Sequence, residues 1–492
     1  MFTRRIIFCP RHPNILLRKE HDMNSVFITP NDCPGSDDSA SIQNAVDRAH
    51  ETGLNLVLIP RINERTGKPL WRIARDILLP SDMTVLLVNC RLEMEDDVYS
   101  GFFRNTNFTK PETRTPEGRQ YNITIKGIGK AVLDGGKAND LCEAVSCKDG
   151  HPHVMNNTPI LFVNVEGFVI DNICITNQRY WGMRFEYCSR GRISNYFTCV
   201  ANDRRNQDGL NLRNGCHDIL IENVMGQTGD DLIAFSAIDV TRKDRWNLVV
   251  EGEDPSIHDI TVRNVSGAAV GHPLIAMRCA NGAKLYNILI ENAKDIPFFA
   301  PVQLSRAGKQ PYPRYGIVRI GGNGYSTYRT SVMGEICNIT VRDITSCHSR
   351  TAVIVNAMLR DIKLYNINGS GTCRSLLSIG PDYWEQEKKT GVTIENMLLD
   401  GAHLQKDKKG GTILDFSILR EGDYIKDLHV QNVFAENTAS LADICDICTT
   451  CDIRAEHIVS NLPEGTQIRT VKEEESEWYD KENYYALPAE AE

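Results

Sequence analysis

The stretch HDILIENV, which begins at His217, is one copy of a unit that recurs along much of the chain. Each copy has a polar residue, then alternating aliphatic side chains, then Asn or Asp and another aliphatic residue. Alternation with a period of two predicts a strand that turns one row of side chains to a core and the other row outwards. Other copies are YNITIKGI from Tyr121, HDITVRNV from His258, YNILIENA from Tyr286, CNITVRDI from Cys337, RDIKLYNI from Arg360 and KDLHVQNV from Lys426.

The spacing of these units favours a solenoid over a β-sandwich. Ile339 and Ile362 hold the same position in two successive copies and are 23 residues apart, whereas the hairpins of a sandwich join strands through loops of about two to five residues. Longer intervals, such as that from Ile219 to Ile260, fit a coil plus a loop. We therefore predict an all-β fold, a single-stranded parallel β-helix, in which the recurrent Asn residues stack in ladders.

A helix is predicted over residues 37–51, ahead of the first strand. Its residues Ile42, Ala45, Val46 and Ala49 have the spacing of one helical face, and Asp37 to Ser39 supply capping oxygens. Such a helix would cover the open end of the first coil, which otherwise exposes an edge and an apolar core.

The chain divides into three predicted segments. Residues 1–22 are basic, and their short apolar run is interrupted by prolines, so they read as an N-terminal extension and not as a secretion signal. Residues 23–470 form the β-helix, and the acidic residues 471–492 form a solvated tail. Without an export signal we expect a cytoplasmic location and reduced thiols, including Cys445, Cys448 and Cys451, whose spacing lacks the fourth ligand of a zinc site.

Composition narrows the classes of partner. The 492 residues carry a formal net charge of −9 without an extended basic patch, which argues against nucleic acid. No apolar run is long enough to cross a bilayer, so we expect no membrane partner. A monomer or a simple homo-oligomer is expected.

Three carboxylates lie in two turn-like settings, Asn206 to Gly209 and Gly229 to Asp231. Asp208 and Asp230 are 22 residues apart, about one coil, so Asp208 is expected to lie above Asp230 at the spacing of about 4.8 Å between strands. Crowded carboxylates raise one another's pKa, so one of them keeps its proton. That combination supplies the acid and the base of glycoside hydrolysis. The alternative is that both are ordinary solvated turns.

These motifs, with Gly271-His272 and Arg278 after them, resemble the polygalacturonase family of glycoside hydrolases, family 28 of the pectin-lyase-like β-helix superfamily. The resemblance covers roughly residues 24–460, and its specific part runs from Asn206 to Lys284. It implies a right-handed β-helix with a capping helix and an inverting, Asp-dependent hydrolysis of a pectin-like or related plant or microbial oligo- or polysaccharide, without a metal or other cofactor.

Residue roles follow from the resemblance. It makes Asp230 the general acid, Asp208 and Asp231 the pair that activates water, and His272 a residue that tunes the acid or binds sugar. Crowding by the other two carboxylates is expected to raise the pKa of Asp230. Gln207 stands where the family has Thr, and Pro273 where it has Gly.

The substrate-binding residues depart furthest from the family. Its Arg-x-Lys pair, which grips a substrate carboxylate, is absent, and Arg278 is followed by Cys279 and Ala280. The substrate could therefore be a neutral or differently charged sugar. The sequence also leaves open which linkage is cleaved and whether attack is endo or exo. The predicted substrate-binding residues are Tyr180, Trp181, Arg205, Asn206, Arg278 and Lys284.

Two other functions fit the same sequence. A polysaccharide lyase on this fold would need a cation or Arg to neutralise a uronate, and a carboxylate cluster can hold calcium. A non-catalytic glycan-binding solenoid, as in tail fibres, would share the repeats but would not need a clustered Asp triad.

Overall fold

The computed structural model describes residues 26–110, 114–136, 157–200, 206–239, 248–300, 314–321, 330–380, 391–447, 451–462 and 467–472. The predicted extension over residues 1–22 lies outside this part of the chain, as does the tail beyond residue 472. The proposed segment boundaries therefore stay predictions.

The strands, numbered β1 to β30 along the chain, form two sheets whose pairings are parallel. The 17-stranded sheet, here called sheet I, consists of β1 (Leu56–Ile59), β2 (Trp71–Ile73), β4 (Thr84–Val88), β5 (Arg91–Met94), β7 (Gln120–Ile128), β8 (Val132–Asp134), β10 (Val165–Asp171), β11 (Cys174–Thr176), β13 (Ser189–Cys199), β15 (His217–Thr228), β17 (Ile257–Ala269), β19 (Leu285–Asp295), β21 (Ile336–Ser346), β23 (Met358–Gly369), β25 (Thr393–Gln405), β27 (Tyr424–Glu436) and β29 (Cys451–Ser460).

The 13-stranded sheet, here called sheet II, consists of β3 (Ile77–Leu79), β6 (Phe103–Asn105), β9 (Ile160–Val163), β12 (Met183–Glu186), β14 (Leu210–Arg213), β16 (Ile233–Ile238), β18 (Ile275–Ala280), β20 (Arg314–Gly321), β22 (Ser349–Asn356), β24 (Ser375–Ile379), β26 (Thr412–Phe416), β28 (Ser440–Cys445) and β30 (Ile468–Val471). From β12 onwards the chain alternates between the two sheets, which is the winding of a parallel β-helix. Parallel crossovers are almost always right-handed, and the predicted right-handed parallel β-helix is confirmed.

The repeated sequence units stack in register inside the solenoid. The residue at the third position of the unit runs through six successive pairings, and its members are Ile219, Ile260, Ile288, Ile339, Ile362, Met397 and Leu428. All are buried in one continuous apolar core. Removing this aliphatic surface from water supplies the main driving force for winding.

The predicted asparagine ladder is present on sheet I. Asn264 donates to Asn223 Oδ1 at 3.0 Å and accepts from Asn292 at 2.7 Å, and Asn223 donates to Asn195 at 3.1 Å. These residues have left-handed backbones with φ of 53° to 58°, a conformation that Asn tolerates better than most residues. These Asn residues lie within the long strands of sheet I, where each both makes a bend and links it to the next coil.

Helix α1 (Asp38–Glu51) closes the N-terminal end as predicted. The side chain of Asp37 caps it by accepting from Ala40 N at 2.8 Å. Ile42, Ala45, Val46 and Ala49 are fully buried, and the helix packs against β1, β2 and β3. Three short 3₁₀ turns also occur in the described chain, Pro30–Asp32, Thr106–Thr109 and Pro116–Gly118.

The two sheets differ on their outer faces. Strands of sheet I alternate buried and accessible residues, as in β19, whereas β14 and β16 of sheet II are buried on both faces. Outward-pointing polar side chains of sheet II, such as Arg184 and Glu186, are therefore buried. Buried charged groups need partners of opposite charge or hydrogen bonds. The candidate site lies on the outer face of this sheet, where such groups are buried.

The described cysteines are free thiols. Among the described residues, no helix has the length and apolarity that spanning a bilayer would require.

Candidate active site

The three carboxylates lie at one edge of sheet II, in the segments that lead into β14 and β16. Leu210 pairs with Ile233, 23 residues later, and Gly209 N donates to Asp231 O at 3.0 Å. The register therefore places Asp208 level with Asp231, and Gln207 level with Asp230. The expectation that Asp208 lies above Asp230 is wrong by one position, because this coil is one residue longer than the interval between those two aspartates.

Two glycines allow this edge to form. A Cβ on Gly209 would lie 2.5 Å from Leu232 O, so only glycine lets the coil of Asp208 approach the next coil. Gly271 has φ of +69° and turns the chain immediately before His272. Backbone conformations of this kind favour glycine.

Asp230 has the most hydrogen-bonding contacts of the three carboxylates. Its Oδ1 lies 3.0 Å from His272 Nδ1 and accepts from Asp231 N at 2.9 Å, while its Oδ2 accepts from Asn206 N at 2.9 Å. Burial alone would raise the pKa of Asp230, but the charge and hydrogen bond of His272, together with Asn206 N, lower it below its ordinary value. The expectation that crowding raises the pKa of Asp230 is therefore wrong.

Asp208 is the carboxyl group whose pKa is raised in this site. It is buried, and Asn211 Nδ2 donates to its Oδ2 at 3.0 Å. Burial, followed by the negative charges of Asp230 and Asp231, raises the pKa of Asp208 well above its ordinary value. The like-charge effect predicted from the sequence thus operates, but on Asp208 instead of Asp230.

Two cations complete the cluster. Arg278 Nη1 donates to Asp231 Oδ2 at 2.9 Å, and His272 faces Asp230. Although burial opposes it, the charge of Asp230 and the hydrogen bond to it raise the pKa of His272. Asp230 faces His272 and Asp231 faces Arg278, while the pKa of Asp208 is raised, and these pairings make the burial of the cluster tolerable.

The cluster meets solvent on one side only. The side chain of His272 is 22% exposed, that of Arg278 15% and that of Asp230 11%, whereas that of Asp231 is 1% exposed. Asp208 Oδ1 and Asp231 Oδ1 are buried and have no hydrogen-bond partner among the described residues. Both oxygens therefore have hydrogen-bonding capacity that the described residues leave unused.

The same cluster has the composition of a cation site. Ligand atoms of Asp230, Asp231 and His272 all lie within 4.8 Å of one another. In this arrangement, however, His272 Nδ1 is already engaged by Asp230 and Arg278 is paired with Asp231. A metal ion on His272 Nδ1 would replace the contact with Asp230, whereas Asp231 Oδ1 is not engaged by Arg278.

The predicted aromatic platform is not formed. Tyr180 and Trp181 are buried and stack on each other with ring centroids 4.7 Å apart. The guanidinium groups of Arg184 and Arg213 each lie 5.2 Å from the centre of the Trp181 ring. The prediction that these rings offer a face to sugar is wrong, because side chains from neighbouring coils already occupy those faces.

Of three other residues predicted to bind substrate, one lies in the site, one lies away from it and one is outside the described residues. Asn206 is in the site through its backbone N–H, as described above. Lys284 is not in the site. It is exposed and immediately precedes β19 of sheet I, whereas His272 lies before the opposite end of β18. The length of β18, roughly 20 Å, therefore separates the two residues. Arg205 lies outside the described residues.

Two contacts were not predicted. Asn211 reaches Asp208 from the outward row of β14, and Thr228 Oγ1 donates to Asp230 O at 2.6 Å. Asn211 had a signal in the sequence, since it is a polar residue between two leucines on a buried strand, three residues after Asp208. Thr228 is one of many Thr residues in strands and had none.

Comparison with solved structures agrees with the observed winding. A tailspike protein of E. coli bacteriophage HK620, solved in complex with a pentasaccharide, superposes with a TM-score of 0.59 at 14% identity, over 91% of this chain and 78% of that chain. A hyperthermoactive exopolygalacturonase from Thermotoga maritima superposes with a TM-score of 0.52 at 13% identity, over 92% of this chain and 93% of that one. At such identities the likeness shows the fold.

Sequence comparison adds a family match. No curated protein matches the chain, but residues 72–253 match the model described as glycosyl hydrolases family 28. That segment holds Asp208, Asp230 and Asp231, while His272 and Arg278 follow it. The predicted resemblance to the family 28 glycosyl hydrolases is thus confirmed over residues 72–253, and it supports a glycosidase on a parallel β-helix.

Proposed function

We propose that this protein is an inverting glycoside hydrolase that cleaves a pectin-like or related oligo- or polysaccharide. The family match over the segment with the three aspartates supports the reaction class. The observation that carries the proposal is the division of the buried carboxylates into two kinds. Burial and like charge raise the pKa of Asp208, while Asp230 faces His272 and Asp231 faces Arg278. Groups whose environments push their pKa values apart are suited to separate acid and base roles.

The acid is proposed to be the pair of Asp230 and His272. Their facing atoms are 3.0 Å apart, so the proton on His272 can move to Asp230 and from there to the glycosidic oxygen as the bond breaks. Because the pKa of Asp230 is lowered and that of His272 is raised, this transfer runs uphill and has to be concerted with protonation of the glycosidic oxygen, while the histidine stores the proton. Solvent can reprotonate His272, which is partly exposed.

The base is proposed to be Asp231, with Asp208 beside it in the register. Asp231 Oδ1 supplies an acceptor for an attacking water. Asp208 Oδ2 accepts from Asn211, so a carboxylic acid at Asp208 carries its proton on Oδ1 and can donate a hydrogen bond to the same water. As the water adds to the anomeric carbon, its proton passes to Asp231, and the product has the opposite anomeric configuration. Arg278, which holds Asp231 in place, replaces part of the family's basic pair in this proposal.

The proposed location is cytoplasmic. Free thiols at the described cysteines, several of them buried, fit a reducing compartment. Immunodetection in separated cell fractions tests this directly, and recovery of the protein from the culture medium would contradict it.

The reaction is tested on a panel of oligosaccharides and aryl glycosides, including oligogalacturonates, with reducing ends as the readout. We expect turnover by the native chain and a loss of about 10²-fold or more in Asp231→Asn, which removes the proposed base. The matched control is Asp218→Asn, an exposed aspartate of sheet I, which should retain full activity. Equal loss in both variants, or no turnover of any glycoside, would contradict the proposal.

A chelator separates hydrolysis from a lyase reaction. The lyase reading draws support from the cation-like spacing of Asp230, Asp231 and His272. Hydrolysis predicts unchanged turnover in EDTA and products without ultraviolet absorbance. Turnover that needs calcium and yields an unsaturated, absorbing product would replace the hydrolase proposal with the lyase.

A further inference from the structure

A polar cavity lies on sheet II, towards the C-terminal end of the solenoid. Its volume is about 360 Å³, and its wall comes from β22, β24, β26, β28 and β30 and from residues next to them. The carboxylates that line it are Asp415 and Asp443. The cations that line it are Arg350, Arg374, Lys406, Lys408, Lys409 and Arg469. The cavity is thus separate from the aspartate cluster, and basic residues dominate its wall.

The two carboxylates of the wall offset little of its positive charge. Asp443 is paired with Arg469, at 2.9 Å between Oδ1 and Nε. Asp415 accepts from Ser417 Oγ at 2.6 Å, and burial raises the pKa of Asp415. Six cations against two carboxylates therefore leave a basic surface, in a chain whose formal net charge is −9.

Part of this positive charge is held in place by the backbone. Lys406 Nζ donates to Cys373 O at 2.8 Å and also contacts Gly371 O. The turn that holds Lys406 continues to Lys408 and Lys409, which line the cavity and are exposed. Like charges held close together repel one another and favour an anionic group between them.

The last described strand leads from this cavity into an acidic stretch of sequence. Val471, the last residue of β30, lines the cavity, and positions 473–477 read EEESE. Residues 473–492 contain eight acidic residues and one lysine, which gives a net charge of −7. A strongly acidic stretch therefore begins two residues beyond the wall of a basic cavity.

The reach of this acidic stretch matches the size of the cavity. Positions 473–477 can lie about 7 to 21 Å from Val471, since an extended chain covers at most about 3.5 Å per residue. The five strands behind the cavity are stacked at about 4.8 Å, which makes the wall about 19 Å wide. A segment tethered this closely has an effective concentration on the order of millimolar, so weak individual ion pairs are enough to hold it.

The C-terminal end of the solenoid also lacks the cover that α1 gives to the other end. Among the described residues, no helix packs on the last coil, and Val459 and Ile468 are 62% and 65% exposed. No residue of β29 is buried, whereas β27 in the preceding coil has five buried residues. A segment bound across β26, β28 and β30 would fasten these last coils together.

We propose that residues 473–477 bind in the basic cavity of sheet II as an internal anionic ligand and fasten the last coils of the solenoid. In this arrangement their carboxylates face Lys408 and Lys409. The sequence predicts a solvated tail over residues 471–492, and the proposal gives the first part of that tail a binding place. It goes beyond the hydrolase activity and does not depend on it, because none of these residues belongs to the site with Asp230.

Hydrogen exchange in full-length variants tests this contact, with the exchange rate of the β30 amides as the readout. The acidic-segment variant carries Glu473→Gln, Glu474→Gln, Glu475→Gln and Glu477→Gln. The tail control removes four charges further along the same tail, through Asp480→Asn, Glu482→Gln, Glu490→Gln and Glu492→Gln. The lysine variant carries Lys408→Gln with Lys409→Gln, and the combined variant joins it to the acidic-segment variant.

At low salt we expect the β30 amides to exchange about tenfold faster in the acidic-segment variant and in the lysine variant than in the native chain, because the last strand opens more often. The tail control should stay within about twofold of the native rate. The combined variant should exchange no faster than the faster of its two parents, since both sets of changes remove the same contact. In about 1 M salt, where the Debye length is about 3 Å, the native chain should approach the rate of the variants.

Zero-length carbodiimide crosslinking of the native chain gives a second readout. It joins carboxylates to amines that are in contact, so we expect residues 473–477 to be joined to Lys408 or Lys409 within a monomer. Native exchange rates in the acidic-segment variant, an equal acceleration in the tail control, or additive effects in the combined variant would overturn the inference. Crosslinks confined to dimers would also overturn it and assign the cavity to the tail of a second copy.

Discussion

Two histidine–aspartate pairs on this solenoid show how burial changes the use of the same side chains. On sheet I, His258 Nδ1 lies 2.6 Å from Asp259 Oδ2, with 45% of the aspartate side chain exposed. On sheet II, His272 Nδ1 lies 3.0 Å from Asp230 Oδ1, with 11% of the aspartate side chain exposed and two further carboxylates nearby. In both pairs the histidine helps to lower the pKa of the aspartate.

The difference lies in what surrounds each pair. His258 stacks between His217 and Tyr286, at centroid distances of 4.9 Å and 4.7 Å. His272 belongs to a nearly closed cluster in which each proton changes the balance of buried charge. The lesson is that the pair on sheet I is part of a surface ladder, whereas the pair on sheet II can hold and deliver a proton.

The largest expected effect comes from removing the carboxylate of each pair. Asp230→Asn should lower kcat/KM by about 10³-fold or more, because the acid loses the group that delivers its proton. Asp259→Asn should stay within about twofold of the native value. Steady-state kinetics on a cleaved glycoside measures both, and a comparable loss in the two variants would remove the distinction between the sheets.

A smaller effect is expected from the histidines. His272→Gln should lower kcat by about 10- to 100-fold. In the native chain kcat should fall at alkaline pH as His272, whose pKa is raised in the fold, loses its proton. The variant should lack this fall. His258→Gln should change neither kcat nor the profile. A native alkaline limb that survives unchanged in His272→Gln would show that the proton comes from another group.

Stability should respond to Asp208 in a direction set by its pKa. A carboxyl whose pKa is raised in the folded state stabilises the fold at low pH, and this contribution is lost as the pH rises through the folded pKa. Asp208→Asn should therefore raise the melting temperature in alkaline buffer, by roughly 5 °C, and lose that advantage in acid. Thermal denaturation over a pH series measures this, with Asp218→Asn as control. A variant less stable than the native chain at high pH would contradict the assignment of the proton to Asp208.

The smallest effect is expected in the ladder of sheet I. Asn264→Ala should lower the free energy of unfolding by about 1 to 2 kcal/mol, since alanine resists the left-handed backbone and loses two side-chain hydrogen bonds. Asn264→Gly keeps the backbone conformation and should lose only the hydrogen bonds. Equal losses in chemical denaturation would mean that backbone strain contributes nothing at this bend.

The fold was predictable because its signals are local and repeated. The alternation within units such as HDILIENV defines the strands, and the Asn of each unit defines the bend, so many copies support one conclusion. The exact register was less accessible. Coil lengths vary with the loops between sheets, and one residue was enough to place Asp208 level with Asp231 instead of Asp230.

The electrostatics of the site depend on contacts that sequence spacing does not encode. The partner of Asp230 is 42 residues away in the sequence and lowers the pKa of that carboxyl group, whereas burial raises the pKa of Asp208. Trp181 reads as a sugar platform until the guanidinium groups of Arg184 and Arg213 are found on its ring. Sequence motifs identify the residues of the site, but the pKa shifts of these residues depend on how neighbouring coils pack.

The anomeric configuration of the first product, followed by proton NMR during cleavage of a susceptible oligosaccharide, tests the central claim most directly. If Asp231 activates water while the Asp230–His272 pair protonates the leaving oxygen, the newly formed reducing end appears first with the configuration opposite to that of the bond cleaved. A product that first appears with retained configuration would require a covalent intermediate and would contradict the roles assigned to these carboxylates.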